Sequence, residues 1–132
     1  MNTENIDKKI TIMIVDDDSL LLNMYQTKFS SKGFDVVTVS NSSDALSKLR
    51  DSYDPDIILL DIIMPSMDGL ELLKVIKNEN LAPSSVVVML TNQADSEDEA
   101  RSLGVDGFLV KALSIPSEVV DKVIQIYNSN KK

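Results

Sequence analysis

Cysteine and histidine are both absent from the 132 residues. Without cysteine no disulfide or thiolate–metal scaffold can form, which fits a reducing, cytoplasmic setting without demanding one. Without histidine, the chain has no imidazole metal ligand, no Ser-His or Cys-His triad and no histidine to carry a phosphoryl group. Long apolar runs are lacking as well. Stretches such as Val86–Leu90 are far too short to span a bilayer and match buried strands, so membrane insertion is not expected. No signal peptide is expected either, because the apolar run Ile10–Val15 leads into three aspartates and not into a cleavage site. Positive charge is in deficit. A net charge of −8 would release no phosphate counterions, so nucleic acid is not expected as a direct partner. Neither G-x-x-x-x-G-K-[ST] nor G-x-G-x-x-G occurs, which argues against nucleotide binding.

What remains is one domain's worth of chain, 43% hydrophobic and 26% charged. Five short runs rich in Ile, Val and Leu read as strands buried on both faces: Ile10–Val15, Phe34–Val39, Asp56–Leu60, Ser85–Leu90 and Val105–Val110. Helical spacing fills the intervals. Leu20–Lys32 offers Leu21, Met24, Tyr25 and Phe29, with Gly33 as its stop. Ser42–Arg50 offers Ala45, Leu46 and Leu49, and Gly69–Lys77 offers Leu72, Leu73 and Ile76. Ser96–Leu103 is more polar, with Ala100 and Leu103 inward. Pro116–Tyr127 carries Val119, Val120, Val123, Ile124 and Tyr127 on one stripe. This alternation predicts an α/β fold, a doubly wound parallel sheet with helices on both faces over residues 10–127. Residues 1–9 and 128–132 read as polar tails, and Met1 with the polar ends fits a whole small protein.

Ligands of such sheets sit at the carboxyl ends of the strands. There the predicted strands place Asp16, Asp17 and Asp18, then Asp61, Thr91 and Lys111. If the first and third strands are neighbours, about 4.8 Å apart, Asp16, Asp17 and Asp61 crowd one basin and raise one another's pKa. A hard cation relieves that repulsion, and few carboxylates completed by water suit Mg²⁺. Asp18 reads instead as a helix cap. A carboxylate such as Asp61 can attack phosphorus and form an acyl phosphate. The transferring group then needs cations and donors, which the metal, Lys111 and the Thr91 hydroxyl can supply.

Ile12-Met13-Ile14-Val15-Asp16-Asp17-Asp18, the stretch from Asp61 through Met64-Pro65 to Met67-Asp68-Gly69, Leu90-Thr91 and Val110-Lys111 together resemble receiver domains of two-component response regulators. The resemblance runs from residue 10 to 127 and implies a flavodoxin-like (βα)5 sheet of order 2-1-3-4-5. It implies Asp61 as phospho-acceptor, with Asp17 binding Mg²⁺ directly, Asp16 acting largely through water, and the Ile63 backbone carbonyl as a further ligand. It also implies Lys111 and Thr91 at the phosphoryl group and Phe108 as a switching aromatic. The expected partners are a histidine kinase or histidine phosphotransfer protein and a downstream protein target. That target would be reached through the Ser96–Leu103 helix, the last strand and the Pro116–Tyr127 helix. The expected role is a stand-alone, chemotaxis-regulator-like switch, not an enzyme, whose only chemistry is self-phosphorylation from a phosphodonor and slow autodephosphorylation.

Three positions depart from the family's usual pattern. Ala112 follows Lys111 where proline is usual, so either a strained cis bond is kept or the loop differs. Asn92 is larger than the residue usual after the threonine and would narrow access to the site. Ile63 cannot position a water with its side chain, which predicts slow dephosphorylation. A phosphatase of the haloacid dehalogenase type would want aspartate where Ile63 stands, and a flavodoxin would want a hydroxyl-rich loop in place of the aspartates. The stronger rival is a receiver-like interaction module that is never phosphorylated, and a piece of a hybrid kinase is a further possibility.

Overall fold

The computed structural model describes residues 9–131. The expected amino-terminal tail therefore lies almost wholly outside the described residues. Five parallel strands form one sheet of order β2-β1-β3-β4-β5: β1 Thr11–Val15, β2 Asp35–Val39, β3 Ile57–Leu60, β4 Val86–Thr91 and β5 Gly107–Val110. The helices are α1 Ser19–Ser31, α2 Ser42–Arg50, α3 Gly69–Asn78, α4 Glu97–Ser102 and α5 Pro116–Asn130. This is the doubly wound architecture expected from the alternation.

The period of two along each strand splits the core into two layers. Met13, Val15, Ile58, Leu60, Val87 and Met89 face α2, α3 and α4, through Ala45, Leu46, Leu72, Leu73, Ile76 and Ala100. Ile12, Ile14, Ile57, Leu59, Val86, Val88 and Leu90 face α1 and α5, through Leu22, Tyr25, Phe29, Val119, Val120 and Val123. The inward stripe of α1 differs from the expected one. Leu22 is buried beside Tyr25 and Phe29, whereas Met24 is 40% exposed. With three leucines in a row the spacing alone does not choose the face, and the T-shaped pair Phe29–Phe34 fixes the helix at its far end.

Other boundaries move for local reasons. β5 starts at Gly107, because Asp106 turns its carboxylate to the Val87 N–H at 2.8 Å and caps the neighbouring strand. α5 runs to Asn130, into the segment expected as a tail, since no glycine or proline interrupts it and the Asn130 amide donates to the Ile126 carbonyl at 2.8 Å. A 3₁₀ turn, Ala94–Ser96, precedes α4, which leaves that helix only Glu97–Ser102.

At the amino ends of the strands, side chains tie backbone groups together. The Thr11 N–H and hydroxyl both donate to Asp56 Oδ2, at 2.9 and 3.2 Å, and the Asp56 N–H donates to the Thr11 hydroxyl at 2.9 Å. Thr11→Val keeps the shape and orphans the Asp56 N–H, a loss of about 1–2 kcal/mol. Urea unfolding should show a lower midpoint with unchanged slope; an unchanged midpoint would mean water replaces the hydroxyl without cost.

Candidate functional site

Register brings the sequence-predicted residues to one rim. Val15 pairs with Leu60, so the next residues, Asp16 and Asp61, leave the sheet side by side. Their backbones stay pinned, with the Asp61 N–H donating to the Val15 carbonyl at 3.0 Å and the Asp16 N–H to Val39 at 3.2 Å. Thr91 pairs with Val110, which sets Lys111 immediately beyond the next strand end. Asp18 caps α1, its carboxylate accepting from the Leu20 and Leu21 N–H groups, as expected from its place before the helix.

The loop after Asp61 is held by α3. Asp68 and Glu71 form a reciprocal capping box, each side chain accepting the other's backbone N–H at 2.8 and 3.0 Å. The Gly69 N–H donates to the Ile62 carbonyl at 2.8 Å, and a Cβ at Gly69 would lie 2.0 Å from the Asp61 carbonyl oxygen. Only glycine lets the helix approach the Asp61 backbone this closely.

Within the rim, Lys111 Nζ lies 2.7 Å from Asp16 Oδ2 and 2.8 Å from Asp61 Oδ2. Asp16, Asp61 and Thr91 are buried, whereas Asp17 is exposed. The remaining oxygens have partners too, since Asp16 Oδ1 accepts the Asp18 N–H at 2.9 Å and Asp61 Oδ1 the Ile63 N–H at 3.3 Å. Burial pushes the Asp16 carboxyl above its ordinary value, against the downward pull of Lys111 and the Asp18 N–H. Burial draws Lys111 down, but the hydrogen bonds and charges of Asp16 and Asp61 more than offset it and leave the ammonium firmly protonated.

Asp16, Asp17 and Asp61 can each offer an oxygen within 4.8 Å of the others. Three hard oxygen donors, one of them open to solvent, fit Mg²⁺. Thr91 Oγ1 accepts the Gln93 N–H at 3.2 Å. Phe108 is half-buried against the layer that contains Ala100 and Met89. Ile63 is 55% exposed in the loop beyond Asp61.

Sequence reasoning placed these residues on one rim, but it missed the double bridge made by Lys111 and the bond between Asn92 and the Ala112 N–H at 2.8 Å. No cis peptide occurs among the described residues, and Lys111–Leu113 form a 3₁₀ turn, so the loop after Lys111 departs from the proline-bearing pattern. No helix among the described residues is long and apolar enough to cross a membrane.

Comparison with known proteins agrees with this arrangement. A family model, the response regulator receiver domain, matches residues 12–123. The chain is 35% identical over 107 residues to Protein PilG of Pseudomonas aeruginosa, covering 80% of this chain and 78% of that protein. It is 33% identical over 114 residues to the DNA-binding response regulator MtrA of Mycolicibacterium smegmatis, covering 85% of this chain but only 48% of that protein. Among solved structures, the receiver domain of the Francisella response regulator 1452 superposes with a TM-score of 0.80 at 27% identity, over 93% of this chain and 100% of that one. The phosphorylated cyanobacterial phytochrome response regulator RcpA gives 0.81 at 26% identity, over 95% and 98%. An acidic rim at the carboxyl ends of a 2-1-3-4-5 sheet and a family match across nearly the whole described chain lead to one conclusion: this chain belongs to the receiver domains of two-component response regulators.

Proposed function

We propose that the chain acts in the cytoplasm as a single-domain response regulator that accepts a phosphoryl group on Asp61. The donor is a histidine kinase or histidine phosphotransfer protein, and the signal passes to a downstream protein. The observation that carries this reading is the Lys111 ammonium, shared between Asp61 and Asp16 at 2.8 and 2.7 Å, beside a third carboxylate, Asp17. An Asp61 oxygen attacks phosphorus, the P–O bond forms as the P–N bond to the donor imidazole breaks, and the released nitrogen takes a proton from solvent.

Lys111 is already beside the acceptor and exchanges a carboxylate contact for a phosphoryl oxygen. The Thr91 hydroxyl, now accepting the Gln93 N–H, turns to donate to another phosphoryl oxygen. Asp16, Asp17, Asp61 and the Ile63 carbonyl would hold Mg²⁺, which offsets the negative charge gathered at the rim. The exposed Ile63 side chain offers no hydrogen-bonding group to an attacking water, so autodephosphorylation is slow.

Movement of Thr91 reaches Phe108 and the α4–β5–α5 face. α4 has a single fully buried residue, Ala100, and its few apolar contacts make it the helix best suited to shift.

Incubation of the purified chain with acetyl phosphate and Mg²⁺, followed by intact-mass measurement, tests the proposal. One added phosphoryl group, labile to alkali and mapped to Asp61, is the expected result. No uptake from either acetyl phosphate or a kinase would replace this reading with that of a receiver-like module that binds partners without being phosphorylated.

A further inference from the structure

Two of the residues that set this chain apart from the usual family pattern touch each other. The side-chain oxygen of Asn92 accepts the backbone N–H of Ala112 at 2.8 Å, across twenty positions of sequence. Asn92 directly follows Thr91, and Ala112 directly follows Lys111. The bond therefore joins the two loops that deliver the hydroxyl and the ammonium to the rim. A proline at position 112 would have no N–H to give, and an alanine or glycine at 92 would have no side-chain oxygen to receive it.

We propose that Asn92 is a positioning residue, which clasps the turn bearing Lys111 to the end of β4 and so holds the ammonium ready for the incoming phosphoryl group. This rests on Asp61 being the acceptor. Lys111 opens a 3₁₀ turn, Lys111–Leu113, whose Ala112 and Leu113 are exposed. Its four-carbon stem gives the ammonium considerable freedom. The clasp restrains the backbone from which that stem springs, while the ion pairs to Asp16 and Asp61 restrain its tip. Positional restraint of a reacting constellation affects rate more than stability.

The same side chain also lends itself to a bulk reading, in which exposed Asn92 merely narrows the mouth. The two readings differ in sign. Shortening the side chain opens the mouth and should speed uptake if bulk matters, but frees the Lys111 turn and should slow uptake if the clasp matters.

The test is the uptake rate from acetyl phosphate at saturating Mg²⁺. Asn92→Ala should slow uptake about three- to fivefold, within the range a single net hydrogen bond contributes. Mg²⁺ affinity and the unfolding midpoint should stay unchanged, and exchange of the Ala112 amide should accelerate. In an Ala112→Pro background, Asn92→Ala should change nothing further, because no N–H is left to accept. Equal slowing in both backgrounds, an unchanged rate or faster uptake would each overturn the clasp, provided the wild type is labelled on Asp61. A wild type that takes up no phosphoryl group overturns the acceptor reading itself, and the role assigned to Asn92 falls with it.

Discussion

Asp61→Asn is expected to take up no phosphoryl group from acetyl phosphate or from a kinase, while folding as the parent does. A carboxamide is a poor nucleophile and cannot form the acyl phosphate. The fold should survive because the substitution is isosteric and the Lys111 ammonium keeps Asp16 as a partner at 2.7 Å. The substituted carboxamide retains an oxygen for the Ile63 N–H, which Asp61 accepts at 3.3 Å. Asp61 also repels the buried Asp16 carboxylate, so removing its charge should leave the midpoint unchanged or slightly raised in metal-free buffer. Intact mass and urea unfolding together check this. Persistent alkali-labile label would place the acceptor on another of the clustered aspartates.

The second large effect is expected of Lys111→Met. It removes the one cation among the described residues that touches both Asp16 and Asp61, and keeps most of the apolar stem. The lysine side chain is only 9% exposed and its two carboxylate partners 3% and 6%, so water replaces it poorly. Breaking a buried pair from one side costs about 3 kcal/mol, toward the low end here because Asp16 can pick up a proton. The dependence on pH follows from the direction of the Asp16 shift. Burial already raises its pKa, so its contribution to stability is present in acid and lost as pH rises through the raised value. Without Lys111 the raised value climbs further. The deficit of the variant should be small below the ordinary aspartate pKa of about 3.9 and full at neutral pH. Added Mg²⁺ should restore much of it, by binding the folded state alone. Urea unfolding across pH, with and without Mg²⁺, measures all three. A deficit insensitive to both pH and Mg²⁺ would mean that Lys111 acts through the packing of its stem.

Much of the architecture could be read directly from the chain. Parallel strands covered on both faces need continuous apolar runs, and Ile57–Leu60 and Val86–Leu90 are such runs. Their carboxyl ends are where polar residues begin, so Asp16, Asp61, Thr91 and Lys111 stood out by position before any distance was known. Strand order came from resemblance, because the spacing of buried strands carries no information on which neighbours pair. On α1, Tyr25 and Phe29 face inward as the spacing implies, and Leu21 packs partly against that layer. Leu20, Leu21 and Leu22 satisfy several helical stripes, however, and only packing against β2 and α5 buries Leu22 and leaves Met24 outside. The Asn92–Ala112 bond was out of reach for another reason. Both residues stand out in the chain, yet a contact over twenty positions depends on how β4 and β5 align.

The ties among Thr11, Asp56 and Asp106 lie at the opposite ends of these strands from Asp61. They tie the amino ends of the same strands whose carboxyl ends carry the acidic rim, with Thr11 on β1, Asp56 ahead of β3 and Asp106 ahead of β5. Strand alignment is thereby anchored a strand's length away from the proposed phosphorylation site. Substitutions at the exposed Asn92 and Ala112 should therefore leave these ties intact, so that rim and framework can vary separately.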